Sequence, residues 1–591
     1  MNPPPAHPCT AADNLRAALR LLQGLQACGL RRLVLCPGSR SAPLAVAAGL
    51  LERSGLDLIT GVDERSAAFL ALGLSRADGV AAAVVTTSGT AVANLLPAAV
   101  EADHGAIPLL LLTADRPQRL KGIGANQTVN QERFLEPSAR LALAGDPRGL
   151  AAMAPGALDA LAAQAWGAAH GTPAGPVHLN LPLEEPLHAG LPELQALAAD
   201  PPPAPGRPPA APPATPADPA PSPLNPQAPG AVVVGPWRGR LDQLPAFAEA
   251  LLRWQRASGW PVLADGLSGL RGWPGLRLIH SYDLLLEAGH GLPPAPQLLR
   301  LGPMPASRRL QQWIATGDGP QLLITEADPR NLDASGTASQ RCGLGLLPWL
   351  AAQPPLPSAP SPQALAWAEP WHRSDAEAQR ALDGSLAGAA GEPAIARALS
   401  RLLPPGLPVM LASSSPVRDW ESFAAVEAPH RPLIGFRGAS GIDGTLSLAA
   451  GLALGCGSLV LVSGDLALLH DANGWLWRQQ LAQRGVRLTV VLIDNGGGGI
   501  FEQLPIRADG PLDFERLFAM PQAVDQLALA QAHGVPGRRC AGPDGLAEAL
   551  AWALPQPLAL IELRSDRRAD AGLRQELRRR MAALHGGPHG D

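Results

Sequence analysis

Apolar residues fall into short unbroken runs along this chain, separated by Ala/Leu-rich stretches with helical spacing. In the first third the runs lie at 33–35, 58–62, 80–86, 109–113 and 177–181. Runs of this length without polar alternation predict strands buried on both faces, and helices between them predict a parallel sheet. The pattern returns at 232–234, 262–264, 297–301 and 322–325, and again at 409–412, 433–436, 459–463, 488–493 and 559–563. Residues 200–229 are dominated by Pro and Ala, and residues 354–362 by Pro and Ser. Such segments bury no core and predict extended linkers. The chain therefore reads as three α/β domains with parallel sheets. Their expected bounds are 1–198, then a linker at 199–230, a central domain at 231–353, a linker at 354–362, and a last domain at 363–591.

Size and composition agree with that division and narrow the chemistry. A chain of 591 residues is too long for one core and fits about three or four domains. Lys+Arg 47 against Asp+Glu 51 leaves −4, so no basic field points to nucleic acid. Lys121 is the single lysine, so any pyridoxal or Schiff-base chemistry would hang on it alone. The six cysteines are scattered without CxxC pairs or zinc spacing, which predicts buried thiols in a reducing compartment. The opening residues MNPPPAHPCTAADNL lack a charged-then-apolar leader. The uncharged stretch 446–463 is long enough to raise a membrane span, but Gly455-Cys456-Gly457 breaks it. A small-residue helix followed by a buried strand is expected there, in a soluble cytoplasmic protein without membrane or nucleic-acid partners.

Polar clusters sit where the predicted strands end. After the first run comes Cys36-Pro37-Gly38-Ser39-Arg40-Ser41, where backbone N–H groups, hydroxyls and a guanidinium suit a carboxylate or phosphate, or where Ser simply caps a helix. Asp63-Glu64-Arg65 opens the next helix, a place where acids commonly cap. Thr86-Thr87-Ser88-Gly89-Thr90, Ala114-Asp115-Arg116-Pro117 and Gly124-Ala125-Asn126-Gln127-Thr128 continue the series. Open α/β sheets bind ligands at such carboxyl ends. In the last domain a run ends in Gly464-Asp465, a Trp/Leu-rich helix follows, and the next run ends in Asp494-Asn495 before four glycines. One carboxylate, one amide oxygen and a nearby carbonyl suit Mg2+ beside a phosphate; the same layout also fits an ordinary βαβ unit with a Gly-rich turn.

The Gly-Asp then Asn spacing is similar to the diphosphate signature of thiamine diphosphate (ThDP) enzymes, although Leu466 stands where Gly is usual. The set CPGSRSAPL, DER, TTSGTAVANLLPA, TADRP, GANQT and PVHLNLP, with SSSPVRD, RGASGIDG and GDLALLHDANG later, resembles one such family. It looks like MenD, the 2-succinyl-5-enolpyruvyl-6-hydroxy-3-cyclohexene-1-carboxylate (SEPHCHC) synthase family. Both outer domains match nearly end to end, and the middle one weakly around Ser307 to Trp313.

The resemblance implies a fold like the ThDP decarboxylases, with pyrimidine-binding, central and diphosphate-binding domains. It implies ThDP with Mg2+ or Mn2+ in a homodimer or homotetramer, with Glu64 from one subunit and the metal ligands from its partner. Asp465, Asn495 and the Gly497 carbonyl would hold the metal. Glu64 would be the catalytic acid at the pyrimidine N1′, favouring the imino tautomer that takes the thiazolium proton. Thr87, Ser414, Gly464 and Leu466 would border the cofactor, and Ile442 would wedge it into its bent shape. The implied transferase reaction decarboxylates 2-oxoglutarate and adds the succinyl-semialdehyde carbanion equivalent to isochorismate, in menaquinone or phylloquinone biosynthesis.

Substrates with several carboxylates call for guanidinium forks. Arg40, Arg116, Arg308, Arg309, Arg418 and Arg437 fall in matched motifs and are expected to bind them, with Ser39, Gln127 and Ser414 adding neutral hydrogen bonds. The family often has Lys-Arg where this chain has Arg308-Arg309. Ile500 and Phe501 would line the ring pocket. The nearest rival, an acetolactate-synthase-like carboligase, has a single-carboxylate substrate and leaves the arginines unexplained. A non-catalytic scaffold should have lost Glu64, Asp465 or Asn495, and the turn after residue 35 supplies no dehydrogenase GxGxxG.

Overall fold

The computed structural model describes residues 10–199, 220–287, 294–507 and 512–585. Eighteen strands among them form three six-stranded sheets, parallel throughout. The first holds β1 (Arg32–Leu35), β2 (Asp57–Thr60), β3 (Ala82–Thr86), β4 (Leu109–Asp115), β5 (Leu141–Ala144) and β6 (Pro176–Pro182), ordered β2-β1-β3-β4-β6-β5. The second holds β7 (Ala231–Val234), β8 (Val262–Ala264), β9 (Leu278–Ile279), β10 (Leu298–Leu301), β11 (Gln321–Ile324) and β12 (Gln340–Cys342), ordered β12-β11-β10-β7-β8-β9. The third holds β13 (Val409–Leu411), β14 (Leu433–Ile434), β15 (Ser458–Gly464), β16 (Arg487–Asp494), β17 (Gly537–Cys540) and β18 (Leu558–Arg564), ordered β14-β13-β15-β16-β18-β17.

Fourteen of these strands coincide with the apolar runs. The four that do not, β5, β9, β12 and β17, all lie at sheet edges. The central strands β3, β4 and β6 are buried at every position and are mostly apolar, with Thr86, Thr113, Asp115, His178 and Asn180 as their buried polar residues. The edge strand β5 alternates between half-buried and exposed, and β17 buries only Cys540. β9 is two residues long. An edge strand of this kind leaves no apolar run in the sequence.

The first and third sheets share one strand order. In each the chain reverses direction beside the first strand, between β1 and β3 and between β13 and β15. These are the switch points where the carboxyl ends of neighbouring strands open a crevice.

The chain divides into two compact units, Met1–Ala214 with Arg437–Gly455, and Thr215–Phe436 with Cys456–Asp591. In the first unit, helices Glu64–Asp78 and Thr445–Cys456 touch backbone to backbone. A Cβ on Gly73 would lie 2.3 Å from the Leu448 carbonyl oxygen, and one on Gly451 would lie 2.1 Å from that of Leu70. The Ser66 and Ser447 hydroxyls meet at 2.7 Å along the same seam.

The stretch 446–463 forms this helix and then β15, as expected. No helix among the described residues is long and apolar enough to cross a membrane. Most of the Pro/Ala linker, 200–219, lies outside the described residues, as does Cys9. Of the other thiols, Cys36, Cys342 and Cys540 are buried, whereas Cys28 and Cys456 are half-buried, and none is in a disulfide.

Candidate active site at the carboxyl ends of the outer sheets

In the first unit the turn after β1 and the turn after β3 meet. Gly38 lies against Thr87 so closely that a Cβ would fall 2.5 Å from the Thr87 Cβ. Arg40, on the β1 turn, is buried and donates to the Leu183 carbonyl at 2.8 Å and to Glu185 at 2.9 Å. The Ser39 hydroxyl lies 3.2 Å from His188 Nε2. Arg116, after β4, is also buried and donates through Nη1 to the Ser88 hydroxyl and the Gln127 carbonyl. Gln127, held at φ +53, donates its amide to the Ser88 carbonyl at 2.7 Å. Burial, and next the neighbouring Arg40 guanidinium, hold the Arg116 pKa down. A buried guanidinium held down by burial and by its neighbour's charge favours an anion at this switch point.

Beneath this rim lies a buried polar layer. Asp115 is fully buried; its carboxylate accepts from the Arg116 N–H at 2.7 Å and from Asn180 at 2.8 Å, and pairs with Lys121 at 2.6 Å. Gln131 ties the layer to the rim, donating to Asn180 at 2.8 Å and accepting from the Gly89 N–H at 2.9 Å. The one lysine is thus an ion-pair partner of Asp115 and Glu132. Ser88 and Gln131 carry the arrangement; Ser88 stood in the Gly-rich turn after β3, whereas no motif singled out Gln131.

Glu64 opens the helix after β2. The capping role falls to Asp63, whose carboxylate accepts from the Arg65 and Ser66 N–H groups at 2.9 and 3.2 Å. Glu64 is left half-buried, with Asn94 at 3.3 Å. Burial, then the charges of Glu64 and Asp63, push the Cys36 thiol up to about 12, which puts the acid beside the β1 turn.

Arg437 and Ile442 belong to the same unit as Glu64. Their loop is fixed by buried Glu101, whose carboxylate accepts from the Gly438 and Ala439 N–H groups at 2.7 Å each and from Ser440 at 3.2 Å. Half-buried Ile442 comes just before helix Thr445–Cys456.

In the second unit β15 delivers Asp465 and the adjacent β16 delivers Asn495. Burial pushes the Asp465 carboxyl up to about 7; the Leu466 N–H opposes this, Asp494 adds to it, and the Gly497 N–H opposes it. That N–H bond joins the two strand ends. Gly497 sits at φ +123, and a Cβ there would lie 2.1 Å from the Ala519 carbonyl oxygen, so the turn accepts only glycine. The Asn495 amide donates to Glu392 at 2.6 Å, while its Oδ1 is buried without a hydrogen-bond partner among the described residues. A buried orphan acceptor beside a buried carboxylate fits a bound cation. No group of three His, Cys, Asp or Glu among the described residues could hold a metal, so a cation here would take amide, carbonyl and phosphate oxygens as well. Gly464 and half-buried Leu466 flank Asp465. Ile500 and Phe501 are half-buried just past the glycines, with Phe501 edge-on to Phe518 at 5.9 Å.

Ser414, after β13, stands at φ +78, a strained conformation for a residue with a side chain. Exposed Arg418 donates back to its carbonyl at 2.8 Å. The structure separates Arg308 from Arg309. Arg308 is exposed at the start of helix Arg308–Ala315, whereas Arg309 faces Asp283 at 2.9 Å and Glu287 at 2.6 Å.

Three family models match the chain. They describe the N-terminal binding domain of thiamine pyrophosphate enzymes at residues 15–134, their middle domain at 226–408, and their C-terminal binding domain at 421–563. A SEPHCHC synthase of Synechococcus sp. (strain RCC307) is 56% identical over 576 residues, covering 96% of this chain and 97% of its own. One of Prochlorococcus marinus (strain MIT 9313) is 54% identical over 571 residues, covering 93% and 97%. Among solved structures, benzoylformate decarboxylase from Polynucleobacter necessarius has a TM-score of 0.65 at 17% identity, covering 94% of this chain and 98% of that one. That likeness concerns the fold.

Proposed function

The chain belongs to the SEPHCHC synthase family of ThDP-dependent enzymes, and from that premise we infer that it joins 2-oxoglutarate to isochorismate with loss of CO2, on the route to menaquinone or phylloquinone. The observation that carries this is near-full-length identity above half to synthases of that name. The buried arginines at the first switch point suit substrates with several carboxylates.

ThDP, when bound, supplies the electron sink that lets a 2-oxo acid lose CO2. The residues do the rest. Glu64, released from capping by Asp63, would hydrogen-bond the pyrimidine ring. Asp465, Asn495 Oδ1 and the Gly497 carbonyl would hold Mg2+ or Mn2+ beside the diphosphate. Thr87, Ser414, Gly464, Leu466 and Ile442 would border the cofactor. Arg40, Arg116, Ser39 and Gln127 orient substrate carboxylates on the first unit; Arg437 joins them. Arg308 and Arg418 do so on the second, with Arg309 anchoring the Arg308 turn through Asp283 and Glu287. Ile500 and Phe501 exclude water from the ring pocket. The working form is a cytoplasmic homodimer in which Glu64 of one subunit acts with Asp465 and Asn495 of the other. By function we take the domains as 1–198, 231–353 and 363–591.

The test is ultraviolet loss of isochorismate by purified protein with ThDP, Mg2+ and 2-oxoglutarate. Consumption should require all three and fail with pyruvate. The Glu64→Gln variant should fold and lose about a hundredfold or more in turnover. Pyruvate decarboxylation with isochorismate left intact would replace this function by a single-carboxylate carboligase.

A further inference from the structure

We propose that Arg574 is a positioning residue that aligns two arms of the site at once, the metal ligand Asn495 through Glu392 and the Ser414–Arg418 turn through Asp419. This rests on the metal-site assignment given above. Arg574 lies on helix Arg567–His585 and is buried, as are Glu392, Asp419 and Asp570. Its Nη2 contacts Glu392 Oε2 and both oxygens of Asp419, at 2.8 and 2.6 Å, and its Nε reaches Asp419 at 3.1 Å. The opposite oxygen of Glu392, Oε1, accepts from Asn495 Nδ2 at 2.6 Å. Asp570 fixes Glu392 from behind, accepting its backbone N–H at 3.0 Å.

The chemistry sets the direction of each bond. A guanidinium has donors only and a carboxylate acceptors only. Glu392 must therefore offer an acceptor to Asn495, which must answer with its NH2. Asn495 Oδ1 is then forced to the other side, where it lies buried without a hydrogen-bond partner among the described residues. Glu392 in this way decides which atom of Asn495 faces a cation. Ligand groups held from behind by such partners commonly lose about 10–100-fold in metal affinity when the partner is changed. On the other arm, Asp419 lies on helix Ser415–Phe423, whose cap is the strained Ser414, and next to Arg418. Gripping Asp419 fixes the rotation of that short helix and so the direction of Arg418. Two buried acids on one arginine, with a third behind them, are weak evidence for a stability device. Their connections to Asn495 and to the Ser414 turn give them a use.

In Glu392→Gln, the amide can satisfy Arg574 only with its oxygen. Its NH2 then faces Asn495, which must turn its own oxygen inward and its NH2 toward the cation. Mn2+ binding to the full chain with ThDP, read from free Mn2+ by electron paramagnetic resonance, should weaken by about 10–100-fold. Asp419→Asn should leave Mn2+ binding as in wild type and raise KM for a substrate carboxylate. Arg574→Lys, which keeps charge but not the fork, should do both. Thermal midpoints without ligands report folding separately. If Arg574→Lys fails to fold, the other two variants decide. Wild-type Mn2+ affinity in Glu392→Gln, or a lowered thermal midpoint as the only change, would overturn the proposal. Wild-type protein that takes up no Mn2+ with ThDP would overturn the metal site and this proposal with it.

Discussion

Asp63 and Glu64 are neighbouring acids at one helix start, and the structure gives them different work. Asp63 takes the two N–H groups, so Glu64 is not held in the cap and has the Asn94 amide as its neighbour at 3.3 Å. Which acid caps follows from backbone geometry at the turn, since either side chain could have done so. His178 shows burial acting on a single group. It is fully buried beneath the Arg116 rim, 2.8 Å from the Thr113 hydroxyl, and burial holds its pKa down at about 4. The unfolded chain protonates this imidazole near pH 6.5, and the folded one resists until about 4. The stability it contributes is present above pH 6.5 and is lost as pH falls toward 4. Between pH 7 and 5 wild type should therefore lose about 2 kcal/mol more than His178→Gln, read from urea midpoints at the two pH values. Equal slopes would mean that the ring is charged in the fold. His178 stands in an apolar run, so its burial was legible; its partner Thr113 was not, because it arrives from the neighbouring strand.

At the scale of elements, most strands were legible because a strand covered on both faces is apolar at most positions. The strands that left no such run, β5, β9, β12 and β17, are edge strands that are short or open to solvent, whereas the edge strands β2 and β14 did leave runs. The contact between helices Glu64–Asp78 and Thr445–Cys456 was equally silent, since glycine in a helix is as often tolerated as required. Here two glycines let the backbones touch. Gly451→Ala must push Leu70 away and should cost about 1–3 kcal/mol, lowering the thermal midpoint by several degrees. Gly49→Ala, in helix Ala42–Leu51 with nothing within 4 Å of the new methyl, should instead stabilise by about 0.5–1 kcal/mol. A neutral Gly451→Ala would show that this seam is loose.

At the scale of the whole molecule, the assignment of Glu64 and Asp465 to different subunits can be read from mixtures. Glu64→Gln and Asp465→Asn should each be inactive alone. After unfolding and refolding together, half of the dimers would be mixed, and each would carry one intact site. About a quarter of wild-type activity should return. No return would place both residues of a working site in one chain. The strand runs, the two Pro-rich joints and the chemistry at the strand ends were determined by local sequence, because burial and backbone conformation act residue by residue along an element. Tertiary structure alone decided what those ends do together. It pressed Gly38 onto Thr87, set Arg116 against Ser88 and Gln127, left Asn495 Oδ1 without a partner among the described residues, and brought Arg574 to Glu392 and Asp419 across 182 and 155 residues. Contacts of that range depend on the order in which parallel strands are laid side by side, which no stretch of sequence carries within itself.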